Sequence, residues 1–315
     1  GGALVRQWFI NKGLAVPSPA MTRGFLMNST RYLTGASAND TLPSNAQGMG
    51  SMDLERAFGA RPLLLRDQVA GDRFTATGQS RTFIAVVQDS LEPLRVTLTW
   101  TDAPGPTSGN AYLNDLDLEV VVLGDVYRGN NFFGASSVPG GVPDFRNNAE
   151  SVFVPNVAPG TPVLIRVKAT NVVADGVPNN ADALDQDFAL VVGNAYAAAA
   201  PVLQVISAPI LAESYSPANN FADPYETVDF APTIRNVGTA NAVNVVADVV
   251  AGPTVPLSGA ASYGTLAAGA QAARSFTVQT PSLSCAVAPV VLELGIDGAS
   301  AGTAVVNLSD LATLP

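Results

Sequence analysis

The sequence predicts a mainly β protein: a short α-helical remnant, then a β jelly-roll sandwich, then an immunoglobulin-like β-sandwich. Three observations carry this. From about residue 61 onward, apolar residues recur with a period of two in short β-branched runs separated by Gly, Pro, Asn and Asp. The 315 residues include 28 Gly and 23 Pro, a composition of many turns. Charged residues make up only 13% of the chain, about half the roughly 25% of an ordinary soluble domain.

Residues 1–60 read as helical. Leu4, Val5, Trp8 and Phe9 recur at i, i+1, i+4 and i+5, and Gly13 supplies a left-handed stop. In Pro17-Ser18-Pro19 a Ser cap stands directly before a Pro at the first helical position. Met21, Phe25, Leu26, Ser29, Tyr32 and Leu33 then continue at helical spacing until Gly35. Two short amphipathic helices cannot bury both faces alone. This segment is therefore expected to be mobile, to lean on the β region, or to pair with another copy.

Strands are expected over 82–87, 95–101, 116–123, 151–154, 163–168 and 188–192, a spacing that suits a jelly roll over 61–196. Ala197 to Ala200, followed by Pro201, forms a plausible joint. A second series over 202–206, 228–234, 243–249, 275–279, 290–296 and 304–307 suits an immunoglobulin-like sandwich over 201–315.

Composition excludes several classes of function. The chain has no histidine, so it holds no Ser-His or Cys-His catalytic unit and no histidine metal site. Its net charge of −10 argues against nucleic acid or an anionic membrane as partner and favours hard cations. Cys285 is the one cysteine, so no intrachain disulfide can form, and with no basic neighbour it reads as an inert thiol. No run approaches the roughly 18 apolar residues of a membrane helix. The chain opens on Gly1 and reads as a piece of something longer.

The densest polar signal runs from Asn110 through Asn114, Asp115, Asp117 and Glu119, with Thr101-Asp102 ahead of it. On an extended strand Asp115, Asp117 and Glu119 share one face and Leu116, Leu118 and Val120 the other. Three like charges on one face repel unless solvent or a cation lies between them. Ca²⁺ takes six to eight oxygens of the kinds this segment supplies; the alternative is a solvated strand face. Asn147-Asn148-Ala-Glu150 is a second oxygen-rich knot, which by itself also reads as a turn. The acidic stretch from Asp175 to Asp187 lacks EF-hand spacing and reads as an exposed loop. Asn28, Asn39 and Asn307 open glycosylation-type triplets.

The motifs Gly1-Gly2-Ala3-Leu4-Val5, Pro17-Ser18-Pro19-Ala20, Gln47-Gly48-Met49-Gly50 and Leu54-Glu55-Arg56-Ala57-Phe58 resemble the closing segment of subtilisin-like serine proteases. Val96-Thr-Leu-Thr-Trp100-Thr-Asp102, Asn114-Asp115-Leu-Asp117 and Asn147-Asn148-Ala-Glu150 resemble the P-domain-like jelly roll that follows some subtilase catalytic domains. Ile234-Arg-Asn236-Val-Gly238 and Tyr263-Gly264 are similar to CARDB-type modules. The resemblance implies a C-terminal, non-catalytic portion of a secreted subtilisin-like endopeptidase, partnered by the catalytic domain of its parent. It further implies Ca²⁺ at Asp102, Asn114, Asp115 and Asp117, with Asn147, Asn148 and Glu150 following. The Asp, His and Ser of such a protease would all lie upstream of residue 1, so the chain alone is expected not to hydrolyse peptides. The competing class is an extracellular adhesion or binding protein that meets a protein or cell surface.

Overall fold

The computed structural model describes residues 1–250, 254–282 and 289–308, and Cys285 lies outside them. The chain is mainly β, with antiparallel sheets in a sandwich arrangement. It divides into two compact units, one of Gly1–Val121 with Val126–Ala198, the other of Val122–Asp125 with Ala199–Pro315.

The first unit opens with helices α1 (Gly2–Asn11), α2 (Pro19–Asn28) and α3 (Leu54–Phe58). Ser18 caps α2, its Oγ accepting from Met21 N at 2.9 Å. The same Ser18 gives its N–H and O–H to the Asp67 carboxylate at 2.9 and 2.6 Å, which ties the start of α2 to the sheet below.

Its strands are β1 (Leu63–Asp67), β2 (Ser80–Val87), β3 (Leu94–Thr99), β4 (Asp115–Val122), β5 (Asp125–Arg128), β6 (Phe132–Phe133), β7 (Ser136–Ser137), β8 (Ala149–Val154), β9 (Pro162–Asn171), β10 (Ala189–Gly193) and β11 (Ala195–Ala197). They form a four-stranded sheet ordered β1-β10-β3-β8, a five-stranded sheet ordered β11-β2-β9-β4-β5, and the small β6-β7 pair. Register sorts the residues of the four-stranded sheet by face. Leu190 and Val192 of β10 pair with Leu98 and Val96 of β3, and this apolar face points into the sandwich. The alternate residues Ala189 and Val191 face the helices, where they pack with Val5, Phe9, Met21 and Phe25. Each large side chain so covered contributes roughly 1.5–3 kcal/mol. The helical segment thus finds the cover that two short helices lack.

The second unit holds β12 (Leu203–Ser207), β13 (Ile210–Glu213), β14 (Thr227–Phe230), β15 (Thr233–Asn236), β16 (Ala242–Val250), β17 (Val255–Pro256), β18 (Ala261–Leu266), β19 (Gln271–Ala273), β20 (Phe276–Gln279), β21 (Pro289–Ile296) and β22 (Ala299–Asn307). Three sheets result, ordered β12-β15-β19, β13-β14-β20-β17 and β18-β16-β21-β22. Phe230 stacks on Phe276 at 5.8 Å within a core that includes Ile234, Val278 and Leu292. Asn236 is fully buried and closes a turn, accepting from Val202 N and Gly238 N and donating to Ala240 O and Leu266 O. Glycine is needed two residues on, because a Cβ at Gly238 would stand 2.2 Å from Ala200 O.

Candidate functional site

The site is built on the edge of β4. Leu116, Leu118 and Val120 are buried in the sandwich, and strand alternation puts Asp115, Asp117 and Glu119 on the other face. All three carboxylates are nonetheless buried. Glu119 is answered by cations: Arg166 Nη1 donates to its Oε1, Lys168 Nζ to its Oε2 at 2.8 Å, and Arg128 stands 3.7 Å away. Asp117 accepts from Thr170 Oγ1 through Oδ2, while its Oδ1 is buried with no hydrogen-bond partner among the described residues.

Glu150 reaches the same edge from the other sheet. On β8 it pairs with Leu98 of β3 and shares the inward face with Val152 and Val154. The neighbouring strand β5 ends at Arg128, leaving the edge of β4 open beyond it. There Gly129 N donates to Leu118 O at 2.9 Å, and Glu150 Oε2 accepts the Leu118 N–H at 2.7 Å. A carboxylate thus replaces a strand carbonyl. Residue 129 has to be glycine, because a Cβ there would lie 2.0 Å from Glu150 Oε2. The other oxygen, Glu150 Oε1, is buried and has no partner among the described residues.

Asp144 completes the acidic edge. Its Oδ2 accepts from Asn130 Nδ2 and Asn147 Nδ2, both at 2.7 Å, and its Oδ1 from the backbone N–H groups of Arg146 and Asn147. Burial, then the charges of Asp117, Asp144 and Asp115, pushes the Glu150 carboxyl well above its usual range despite the Leu118 hydrogen bond. Burial and the neighbours Asp117, Asp144 and Asp102 push Asp115 up to about 6. Asp117 is raised by burial against the Thr170 hydrogen bond and Lys168. For Asp144 burial acts upward too, but the hydrogen bonds from Asn130 and Asn147 outweigh it and hold the carboxyl below its ordinary value.

The remaining residues singled out in the sequence are engaged by backbone or side-chain partners. Asp102 Oδ1 accepts from Ala103 N and Asn114 N, and its Oδ2 from Leu113 N at 2.7 Å. Asn114 Oδ1 accepts from Val173 N and Ala174 N, and its Nδ2 donates to Ala174 O, Asp185 O and Gln186 Oε1. Together the two pin the loop that enters β4. Asn148 is held by Arg23, which donates to both its side-chain and backbone oxygens, and Asn147 orients Asp144. In the loop from Asp175, the fully buried Asp185 accepts from Val177 N and Asn180 Nδ2 and faces Arg73 Nε at 3.5 Å. Sequence reasoning missed Asp144 and Gly129. The available signal for Asp144 was its place three residues before Asn147, the spacing of a side-chain-capped turn.

Among the described residues no three of Asp, Glu, His and Cys are placed to hold a metal ion by themselves. A cation at this edge needs backbone carbonyl and water oxygens in its shell as well, a mixture Ca²⁺ accepts.

No family model matches the chain, and no curated protein matches it. Solved structures to which it shows some likeness include a family 2 β-galacturonidase from Eisenbergiella tayi, 13% identical over 73% of this chain and 35% of that one, TM-score 0.25. Another is the exo-chitosanase CsxA of Amycolatopsis orientalis, 12% identical over 72% and 25% of the two chains, TM-score 0.26. A third is a calcium-binding mutant of Bacteroides uniformis β-glucuronidase 2, 11% identical over 77% and 29%, TM-score 0.24. The chain thus spans about a third or less of these proteins, and likeness at this level carries no argument about what it binds or does.

The subtilisin-like expectation is corrected by these findings. No family model and no curated protein supports a subtilase, P-domain or CARDB assignment, and the solved structures named above are glycoside hydrolases. The accessory role in proteolysis falls with it. The physical reason lies in the motifs themselves. Pro17-Ser18-Pro19 is a helix cap, Gln47-Gly48 closes a turn onto Ser44, and Asn236-Val-Gly238 is a buried turn, devices that any fold with such turns can use.

Proposed function

We propose that the first unit is a non-catalytic β-sandwich binding module whose acidic edge takes a hard divalent cation, Ca²⁺ by its chemistry. The unpartnered oxygens of Asp117 and Glu150 would be its carboxylate contacts, backbone carbonyls and water would complete the shell, and Asp115 and Asp144 would add negative charge close by. Asp102, Asn114 and Asn147 would act by fixing the loops that carry those carboxylates, and Asn148 by anchoring the approach to β8. One observation supports this above others: Asp117 Oδ1 and Glu150 Oε1 are buried without a partner in a cluster of like charge. A buried carboxylate oxygen left unpaired is costly, and a divalent ion reverses the sign of the repulsion. The absence of histidine and the net charge of −10 fit an oxygen-ligated cation rather than nucleic acid.

None of the helices among the described residues is long and apolar enough to cross a membrane. A site assembled from few carboxylates matches the calcium levels met outside cells, so we place the protein there as part of the same proposal.

Thermal melts of the full chain in calcium and in chelator test the reading, alongside elemental analysis. The gain at a hundredfold excess over the dissociation constant is about 2.7 kcal/mol, or about 5–10 °C for a unit of this size. Glu150→Gln should abolish the difference. Identical melts, with no metal found, would leave Glu150 as a protonated acid serving only to close the strand edge.

A further inference from the structure

A second cluster of charge lies elsewhere in the first unit and mixes both signs. An open cleft of about 410 Å³ is lined by Asp53, Glu55, Arg56, Gly59, Arg61 and Glu92, where α3 approaches the turn between β2 and β3. Behind it lies Arg95 of β3, 6% exposed, its guanidinium 3.9 Å from the Phe153 ring. The arginines are organised on Asn28, the fully buried last residue of α2. Arg61 Nη2 donates to Asn28 Oδ1 at 3.3 Å and Arg95 Nη1 to Asn28 O at 2.8 Å. Asn28 is in turn fixed by Nδ2 bonds to Arg95 O, Thr97 Oγ1 and Val191 O.

Three guanidiniums therefore converge beside three carboxylates, two of which already have partners. Asp53 Oδ1 caps α3 by accepting from Arg56 N, Glu55 is exposed, and Glu92 is half exposed and 3.4 Å from Arg56 Nη2. Arg61 Nε and Arg95 Nε are both buried with no hydrogen-bond partner among the described residues. Burial, then the charge of Arg56, lowers Arg61 to about 10 and Arg95 to about 9. Two buried guanidinium donors with no acceptor, beside a third like charge, are the reverse of a settled ion-pair network. The turn that carries Glu92 is rigid: Asp89 Oδ1 accepts from Leu91 N and Glu92 N, and Asn194 Nδ2 donates to Asp89 O and Glu92 O.

We propose that this cleft binds a small ligand bearing one carboxylate, gripped by Arg56 and Arg61 with Arg95 behind them, and carrying hydroxyl or ammonium donors toward Glu92 and Glu55. Guanidinium forks match a carboxylate in two-pronged geometry. The acidic rim repels polyanions and accepts donors, so hydroxy acids and amino acids fit where sulfate or phosphate does not. The volume lies in the range of small-molecule sites. This inference is independent of the cation site, which uses other residues.

The test is an NMR titration of the full chain, following the Nε–Hε signals of Arg61 and Arg95, with sodium lactate and sodium sulfate in separate arms at constant ionic strength. Lactate should shift the Arg61 signal saturably and bind more tightly than sulfate. Glu92→Gln, an exposed change, should tighten lactate by about two- to fivefold by removing an ion pair that competes for Arg56. Arg56→Gln and Arg61→Gln should each weaken it by about tenfold or more, the scale of a lost charged hydrogen bond. The proposal is overturned by a shift that does not saturate, by sulfate binding as tightly as lactate, by Glu92→Gln leaving the affinity unchanged, or by Arg56→Gln and Arg61→Gln both leaving it unchanged.

Discussion

A single carboxylate, Glu150, sets the behaviour of the β4 edge, because it replaces a missing strand partner while lying buried among Asp115, Asp117 and Asp144. Glutamine at 150 keeps an acceptor for Leu118 N and removes the charge, so Glu150→Gln in chelator should be more stable than the parent by about 1–3 kcal/mol at neutral pH. Urea titration reads this, and a less stable variant would count against the site. The pH dependence has a definite sign. A carboxyl whose folded pKa lies above its unfolded value supports the fold below the unfolded value and withdraws that support as pH rises through the folded one. For Asp115, raised from 3.8 to about 6, the window runs from about 4 to 6. Glu150 extends the loss to higher pH. Asp144 acts oppositely, its contribution disappearing only as pH falls below the ordinary carboxylate range. In chelator, therefore, denaturant midpoints should fall between pH 4 and 7, and saturating calcium should flatten or reverse the slope. Asp102 gives a contrasting case. Asp102→Ala frees three backbone N–H groups and should cost about 2–4 kcal/mol with or without calcium. Denaturation in both conditions checks this, and a loss seen only with calcium would make Asp102 a ligand.

At the scale of elements, α2 is the piece that joins helices to sheet. Its first turn is tied by Ser18 to Asp67, its last residue Asn28 reaches β3 and β10, and Gly24 in the middle allows close approach. A Cβ at Gly24 would stand 2.8 Å from Thr99 Oγ1, which itself donates to Ala20 O at 2.8 Å. Alanine is the better helix former by about 1 kcal/mol, yet Gly24→Ala should still destabilise by about 1–2 kcal/mol because the helix must lift from the sheet. Adding Thr99→Ala should recover part of that loss. Urea midpoints of the single and double variants decide it, and a stabilised single variant would mean that the helix rides loosely on β3.

At the scale of the molecule, the two units have separate cores, one built where α1 and α2 meet the sheet and within the first sandwich, the other around Phe230 and Phe276. Chelation should therefore lower hydrogen-exchange protection in β4, β8 and β9 while leaving β14 and β20 unchanged. Phe230→Ala, which costs about 3–5 kcal/mol in a packed core, should do the reverse, exposing the second unit's amides and sparing the first's. Loss of protection in both units from either change would show that they unfold together.

Period-two alternation, turn residues and caps are local properties of a chain. They sufficed for the mainly β class, for the start of α2 at Pro19 after Ser18, and for the placing of Asp115 and Asp117 on one side of β4 and Leu116 and Leu118 on the other. Short motifs of that kind also suggested a protease lineage that the comparisons overturn, because caps and tight turns answer to backbone geometry, whatever the ancestry. Only the tertiary structure decided which of these groups meet. Glu150 comes to Leu118 because β5 ends early and the two sheets close over each other, and Arg61 and Arg95 converge on Asn28 across more than thirty residues of sequence. Such meetings are set by which apolar faces bury one another at long range. No local period records that, and the unpaired oxygens and guanidinium nitrogens it leaves behind are visible only once the chain has folded.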